Sequence, residues 1–300
     1  MSFCPRCQRE HPEHRVCPVH GLALADAADL ERLGQKIGAY ELTAILGRGG
    51  MATVYRAESE DETRPSAIKI LHPRFSRPAG EILQGVAALV GLDHPGWVAV
   101  HEAGFEPRIG VFFRLDFVAG PTLGDVLHED GPLTPPVARA LVERVAAALE
   151  ALHGAGHLHR DLKPDNLLLA EGDPQAVRLL DLPDAAVAEA LLARGIVQGN
   201  FGTPQYMAPE VARGERADAR SDLYALGLLW WETVTGRRPF DGDDPAEILR
   251  AQVEDDPPPP PELPEPHAEL LRALLQKSPE DRPASAEALL SSLADPSSEP

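Results

Sequence analysis

The sequence predicts an α+β protein of two lobes, strand-rich first and helix-rich after, preceded by a short cysteine-bearing segment. Three observations carry this. Between Tyr40 and Phe117 the apolar residues fall mostly in short β-branched and aromatic stretches, with one helical run among them. From Pro136 onward they recur at helical spacing, which places the helices after the sheet. All three cysteines lie within the first 17 residues.

Composition narrows the function classes. A hydrophobic fraction of 43% and a charged fraction of 25% are those of an ordinary globular protein. A net charge of −19 and a pI near 4.9 repel phosphate backbones and anionic lipid, so neither nucleic acid nor a membrane surface is an expected partner. No apolar run approaches the roughly 20 residues of a membrane span. The stretch Met1 to Arg15 is polar, unlike a signal peptide. A cytoplasmic protein is expected. An odd, clustered set of cysteines argues against a disulfide framework there.

Taken in order, residues 1–21 carry Cys4-Pro5-Arg6-Cys7 and Cys17-Pro18-Val19-His20, two knuckles separated by the nine residues Gln8 to Val16. Cys4, Cys7, Cys17 and His20 form a Cys3His set suited to tetrahedral Zn²⁺. Four occupied positions leave no open site, so the metal is expected to be structural, and so short a segment has little reason to fold without it. Residues 22–39, Ala- and Asp-rich, read as a linker or a short helix. Tyr40 to Ala57 reads as two strands around a glycine turn, and Ser66 to Leu71 as a third. Glu81 to Leu92 has helical spacing (Ile82, Val86, Leu89), and Trp97 to His101 and Val111 to Phe117 read as strands. In the second lobe, helices are predicted over Val137 to His153, Ser221 to Thr235, Leu270 to Leu275 and Ser285 to Leu293. Trp230 and Trp231 are expected in the core. Pro257 to Pro261 reads as a stiff connector and residues 295–300 as a polar tail.

The chemistry sits in a few segments. In Leu46-Gly47-Arg48-Gly49-Gly50-Met51-Ala52-Thr53-Val54 the glycines let backbone approach phosphate oxygens. A dinucleotide fold would place a helix directly after them. Here Thr53 to Ala57 is β-branched and aromatic, hence a strand, and Ala67-Ile68-Lys69 follows. That is an ATP-covering arrangement, with Lys69 on the α- and β-phosphates. Further on, His159-Arg160-Asp161 precedes Lys163 and Asn166. Phosphoryl transfer needs a carboxylate near the attacking hydroxyl and a second acceptor for Mg²⁺, which Asp161 and Asn166 supply from one loop. Asp181, 15 residues beyond Asn166, supplies the main metal carboxylate.

From about Tyr40 to Ala294 the chain resembles the bacterial, eukaryotic-like Ser/Thr protein kinases. The resemblance rests on Gly47 to Met51, Ala67-Ile68-Lys69, His94-Pro95, His159 to Asn166, and Gly202-Thr203-Pro204-Gln205-Tyr206-Met207-Ala208-Pro209-Glu210. Ser221 to Gly227 and Pro279-Glu280-Asp281-Arg282-Pro283 complete the set. It implies a bilobal protein-kinase fold over 40–294, with a β-rich lobe at 40–118 and a helical lobe at 119–294. It implies ATP and Mg²⁺ as cofactors, protein hydroxyls as substrates, Asp161 as catalytic base and Lys163 on the γ-phosphate. Asp222 would support the catalytic loop, Glu210 would pair with Arg282, and Leu115, Asp116 and Val118 would line the adenine pocket and hinge.

Two positions depart from the family. Gly85 stands where the family carries the glutamate that clamps the lysine, with Glu81 one turn earlier as an alternative. Asp181-Leu182-Pro183 replaces Asp-Phe-Gly, which removes a backbone N–H and restricts the segment. From Leu182 to Gly202 there is no Ser, Thr or Tyr, so activation by phosphorylating that stretch is excluded. The readings are therefore an active Ser/Thr kinase, a pseudokinase scaffold, or a ribbon that recruits partners with the kinase domain as its regulator.

Overall fold

The computed structural model describes residues 2–11, 14, 16–19, 23–195, 202–257 and 263–294. His20, most of the proline run and the 295–300 tail lie outside the described residues. The chain forms two compact units: residues 1–93, 98–117 and 186–197 make the first, and 94–97, 118–185 and 198–300 the second.

The first unit is built on a six-stranded antiparallel sheet in the order β3-β4-β5-β6-β8-β7. Its strands are β3 (Lys36–Ile37), β4 (Tyr40–Arg48), β5 (Ala52–Glu58), β6 (Ser66–Leu71), β7 (Val100–Glu106) and β8 (Gly110–Asp116). Central β6 is buried along its whole length, as its run Ala67-Ile68-Lys69-Ile70-Leu71 demands. Leu42, Tyr55, Ile68, Ile70 and Phe112 form the core, with Phe3 and Leu30 packed against it. A small hairpin, β1 (Phe3–Cys4) with β2 (Arg9–Glu10), opens the chain. Residues 22–39, read as linker or short helix, contain α1 (Ala27–Leu30) and edge strand β3. Helix α2 (Ala79–Val86) stops earlier than the apolar spacing suggested. Trp97, expected to open a strand, makes only an isolated bridge to Leu179.

The second unit is helical: α3 (Leu123–Glu129), α4 (Pro135–Gly154), α6 (Pro209–Ala212), α7 (Ala219–Thr235), α8 (Pro245–Glu254), α9 (Glu265–Leu274) and α10 (Ala286–Leu293), with the short pair β9 (Leu167–Leu169) and β10 (Val177–Leu179). Helix α4 starts at a proline, where the missing N–H is harmless, and lays Leu141, Val145, Leu149 and Leu152 against the interior. Helix α7 begins with a reciprocal Asp218–Ser221 cap and ends at Gly236 in the left-handed region. Trp230 on α7 is fully buried and Trp231 nearly so, as expected. Helix α4 packs against α7 and α10, and β10 lies against α4.

One helix was not legible from periodicity: α5 (Pro183–Ala193), directly after Leu182. Pro183 opens it, Asp184 sits favourably in its first turn, and alanines fill its body. From Ala186 onward its residues belong to the first unit.

Candidate active site

The candidate residues gather in two groups, one in each unit. In the second unit the loop between α4 and β9 is shaped from below by Asp222 of α7. Its carboxylate is nearly fully buried and accepts the backbone N–H groups of His159 (2.9 Å) and Arg160 (2.8 Å) and the His153 Nε2 (2.8 Å). Burial opposes its charge, yet the His153 hydrogen bond and the neighbouring His159 outweigh that and hold Asp222 below the usual carboxylate range. Arg160 has φ +64°, a left-handed conformation costly for a side-chain-bearing residue. The Asp222 hydrogen bond to its N–H stabilises that bend, which turns the chain toward Asp161.

Asp161 is held from both sides. One oxygen accepts Lys163 Nζ (2.8 Å) and Asn166 Nδ2 (3.1 Å); the other accepts the Thr203 N–H (3.1 Å) and hydroxyl (2.9 Å). Burial alone would raise its pKa; the Lys163 charge and hydrogen bond, then Thr203, overcome it and keep the carboxyl ionised below its ordinary range. Lys163 also reaches Thr203 Oγ1 (2.9 Å). Asn166 Nδ2 donates in addition to the Asp161 carbonyl (2.8 Å), which leaves its Oδ1 as the amide's acceptor. The Leu180 N–H bonds to the Asn166 carbonyl (2.9 Å) and the Leu180 carbonyl meets His159 Nε2 (3.0 Å), so Asp181 is delivered beside the loop. Asp181 has φ +61°, the second such bend at this place. Pro183 then starts α5.

Thr203 as a direct partner of Asp161 is the contact that spacing did not reveal. It comes from the far side of the segment after Asp181, and only folding brings residues 42 apart together. The implied Glu210–Arg282 pair is present, bidentate at 2.9 and 2.8 Å and buried. Ser221 donates to the same Glu210 oxygen at 2.7 Å.

In the first unit Lys69 lies mid-strand, 3% exposed, opposite Val54 on β5 and Phe113 on β8. Ala67 faces Leu115 across the β6–β8 pair, and Asp116 ends β8 with its carboxylate on His101 (2.6 Å). Val118 belongs to the second unit. The glycine segment forms the β4–β5 turn, closed by Gly49 N–H to the Ala52 carbonyl (2.8 Å); a side chain on Gly47 or Gly50 would meet nothing within 4 Å, so the turn is open on that side. Met51 and Gly50 are tied by carbonyl contacts to the His72 N–H (2.8 Å) and Arg74 (3.2 Å).

A second contact missed from sequence is that of Asp29 on α1 with the glycine segment. Asp29 is 2% exposed and accepts Arg48 Nε (2.6 Å), Thr53 Oγ1 (2.7 Å) and, through its carbonyl, the Tyr55 hydroxyl (3.1 Å). Asp26 takes the other arm of Arg48 (2.8 Å). Burial works against the Asp29 charge, but Thr53, the Asp26 N–H and Arg48 prevail and lower its pKa. The signal was present as Asp26-x-x-Asp29 ahead of Leu30, a reciprocal cap.

At the two departures, a Cβ on Gly85 would lie 3.4 Å from the Ala186 Cβ, so α5 packs against α2 there. Glu81, the alternative carboxylate, is half-buried and pairs with Arg194.

The three cysteines converge. Cys4, Cys7 and Cys17 place their sulfurs within 4.8 Å of one another, with Cys4 and Cys17 buried. No helix among the described residues is long and apolar enough to cross a membrane.

The model of the protein kinase domain matches residues 40–293. The serine/threonine-protein kinase pkn3 of Myxococcus xanthus is 35% identical over 272 residues, 85% of this chain and 49% of pkn3. PknB of Mycolicibacterium smegmatis is 37% identical over 261 residues, 81% of this chain and 40% of PknB. The chain thus spans half or less of the curated relatives it matches. Among solved structures, the Mycobacterium tuberculosis PknI kinase domain superposes with a TM-score of 0.67 at 25% identity, covering 87% of this chain and 96% of that one. Rad53 in complex with AMP-PNP gives a TM-score of 0.70 at 26% identity, covering 84% of this chain and 64% of that one. With the matched span enclosing both candidate groups, the chain belongs to the protein kinase family.

Proposed function

We propose that this chain is a Ser/Thr protein kinase that transfers the γ-phosphoryl group of ATP to protein hydroxyls. The observation that carries the proposal is the Asp161 carboxylate, kept ionised and oriented by Lys163, Asn166 and Thr203. In that role Asp161 orients the substrate hydroxyl and accepts its proton as the new O–P bond forms and the bond to the ADP oxygen breaks, the electron pair leaving with ADP. A depressed pKa makes a weak base. That suits a loose transition state, in which charge placement matters more than early proton removal. Lys163, bound to both Asp161 and Thr203, is poised to meet the transferred group. Lys69 and the glycine turn are assigned to the ATP phosphates, and Leu46, Val54, Ala67, Leu115, Asp116 and Val118 to the adenine end. Asn166 and Asp181 offer hard oxygen ligands from adjacent backbone, which fits Mg²⁺, and the ion supplies charge neutralisation on the phosphates. Pkn3 and PknB, named Ser/Thr kinases, favour Ser or Thr as acceptors here. With Gly85 against Ala186 and Glu81 on Arg194, turnover is expected to be attenuated.

The convergent cysteines support a structural Zn²⁺ held by Cys4, Cys7 and Cys17, and a ribbon surface available to a protein partner. Thiolate ligands and ATP belong together in a reducing compartment, which favours the cytoplasm. The decisive experiment is phosphate incorporation from labelled ATP·Mg²⁺ into a generic protein substrate, beside Asp161→Asn. Signal in the parent and its loss in the variant are expected. Equal signal in both, or none in either, refutes the enzyme.

A further inference from the structure

We infer that His11, and not His20, is the fourth ligand of the metal at Cys4, Cys7 and Cys17; the inference rests on the zinc reading above and deepens it. His11 Nε2 lies 3.4 Å from Cys7 Sγ and 3.6 Å from Cys17 Sγ, and those two sulfurs are 3.9 Å apart. With Zn–S of about 2.3 Å and Zn–N of about 2.0–2.1 Å, a tetrahedral site has S···S edges of about 3.8 Å and S···N edges of about 3.6 Å. The separations among Cys7, Cys17 and His11 match three of the six edges, while the three sulfurs together, Cys4 included, spread to 4.8 Å. Without metal the same two contacts are S–H···N hydrogen bonds, which hold the imidazole where a metal between the sulfurs would meet it.

The backbone explains how it gets there. The β1–β2 hairpin pairs Cys4 with Arg9 and Phe3 with Glu10, so the residue after β2 returns beside the first knuckle. The Gln8 N–H closes the knuckle on the Cys4 carbonyl (2.9 Å), with Gln8 at φ +55°. The His11 N–H then bonds to the Ser2 carbonyl (2.7 Å), and the His14 N–H to the His11 carbonyl (3.0 Å). The Val16–Ala23 bridge turns Cys17 back, and Leu24 closes the apolar side. The ligand sequence inferred is Cys4-x2-Cys7-x3-His11-x5-Cys17.

The test uses the full chain reconstituted with Zn²⁺ and separately with Co²⁺. The parent should hold one metal, His20→Ala should match it, and His11→Ala should lose more than about 100-fold in affinity, beyond the range of an outer-shell partner. His11→Cys should keep the metal and raise thiolate-to-Co²⁺ charge-transfer absorption by about one third, as three sulfurs become four. His11→Ala retaining parental affinity and spectrum, or His11→Cys adding no thiolate absorption, overturns the ligand assignment while zinc stands. A parent that takes up no metal overturns the zinc reading itself.

Discussion

Asp161 illustrates how single residues acquire their chemistry from partners. Four donors surround its carboxylate, and the most distant in sequence, Thr203, supplies two of them. Asp161→Asn is expected to reduce kcat by about 10²–10⁴, the usual worth of a positioned acid or base, with little change in the KM for ATP. Thr203→Ala should lower kcat less and shift the acid limb of the pH–rate profile upward, because a hydroxyl that lowers the Asp161 pKa is removed. Initial rates between about pH 5 and 8 read both. Asp161, Lys163 and Asn166 could be singled out in the sequence because they stand close together on one loop, and Asp181 because it follows the apolar stretch that forms β10. Thr203 stood in the sequence only as part of the Gly202 to Glu210 stretch, and its bond to Asp161 is a tertiary fact.

At the scale of elements, α5 was hidden by composition, and α1 was left as one of two readings of residues 22–39. Helix α1 has only four residues and no apolar stripe of its own; it exists because Asp26 and Asp29 cap it and Asp29 is pulled in by Arg48, Thr53 and Tyr55. Asp29→Asn leaves Arg48 without its buried counter-charge. It is expected to destabilise the strand-rich unit by about 1–3 kcal/mol and to raise the KM for ATP through the loosened glycine turn. Thermal melting and steady-state kinetics measure the two effects. Helix α5 was obscured because alanines give no periodic contrast, although Val187, Ala188 and Leu191 are buried. At Gly85 α5 sits so close that a Cβ would already be in contact with Ala186. Gly85→Leu would extend beyond a Cβ already at contact distance from Ala186, so α5 should be pushed off α2. Faster amide hydrogen exchange across 186–193 is the expected result, and unchanged exchange would rule out that packing.

For the whole molecule, stability should depend on a few buried acids. Glu210 is gripped by Arg282 and Ser221; burial opposes its charge, but those hydrogen bonds win and its pKa falls below the ordinary 4.5 of a glutamate. Asp222, Asp161 and Asp29 are depressed likewise from 3.8. A group whose folded pKa is lowered contributes stability above its unfolded pKa and loses it as pH falls through the folded value. Melting temperature should therefore hold down to about pH 4.5 and drop steeply below it. Arg282→Met strands a buried carboxylate and should cost about 3–5 kcal/mol at neutral pH, with a shallower acid decline. At the other end of the chain, removing metal should loosen Cys4. Its neighbour Phe3 pairs with Ala25 through two backbone bonds (2.9 and 2.8 Å) just before the α1 cap. A chelator is expected to lower the melting temperature and raise the KM for ATP together, and restored zinc to reverse both.

The sequence by itself determined the two-lobed α+β architecture, the order of the phosphate-handling residues and the cysteine cluster. These depend on residue type, local periodicity and short spacings, which the chain carries without reference to its fold. Only the tertiary structure decided which groups meet: Thr203 on Asp161, Asp29 on the glycine turn, Arg194 on Glu81, α5 against Gly85, and His11 across Cys7 and Cys17. Each is a side-chain pairing set by how backbone elements return past one another. Knuckle spacing gave His20 as the fourth ligand, a residue outside the described ones. The β1–β2 hairpin, by returning the chain beside Cys4, brought His11 to the sulfurs.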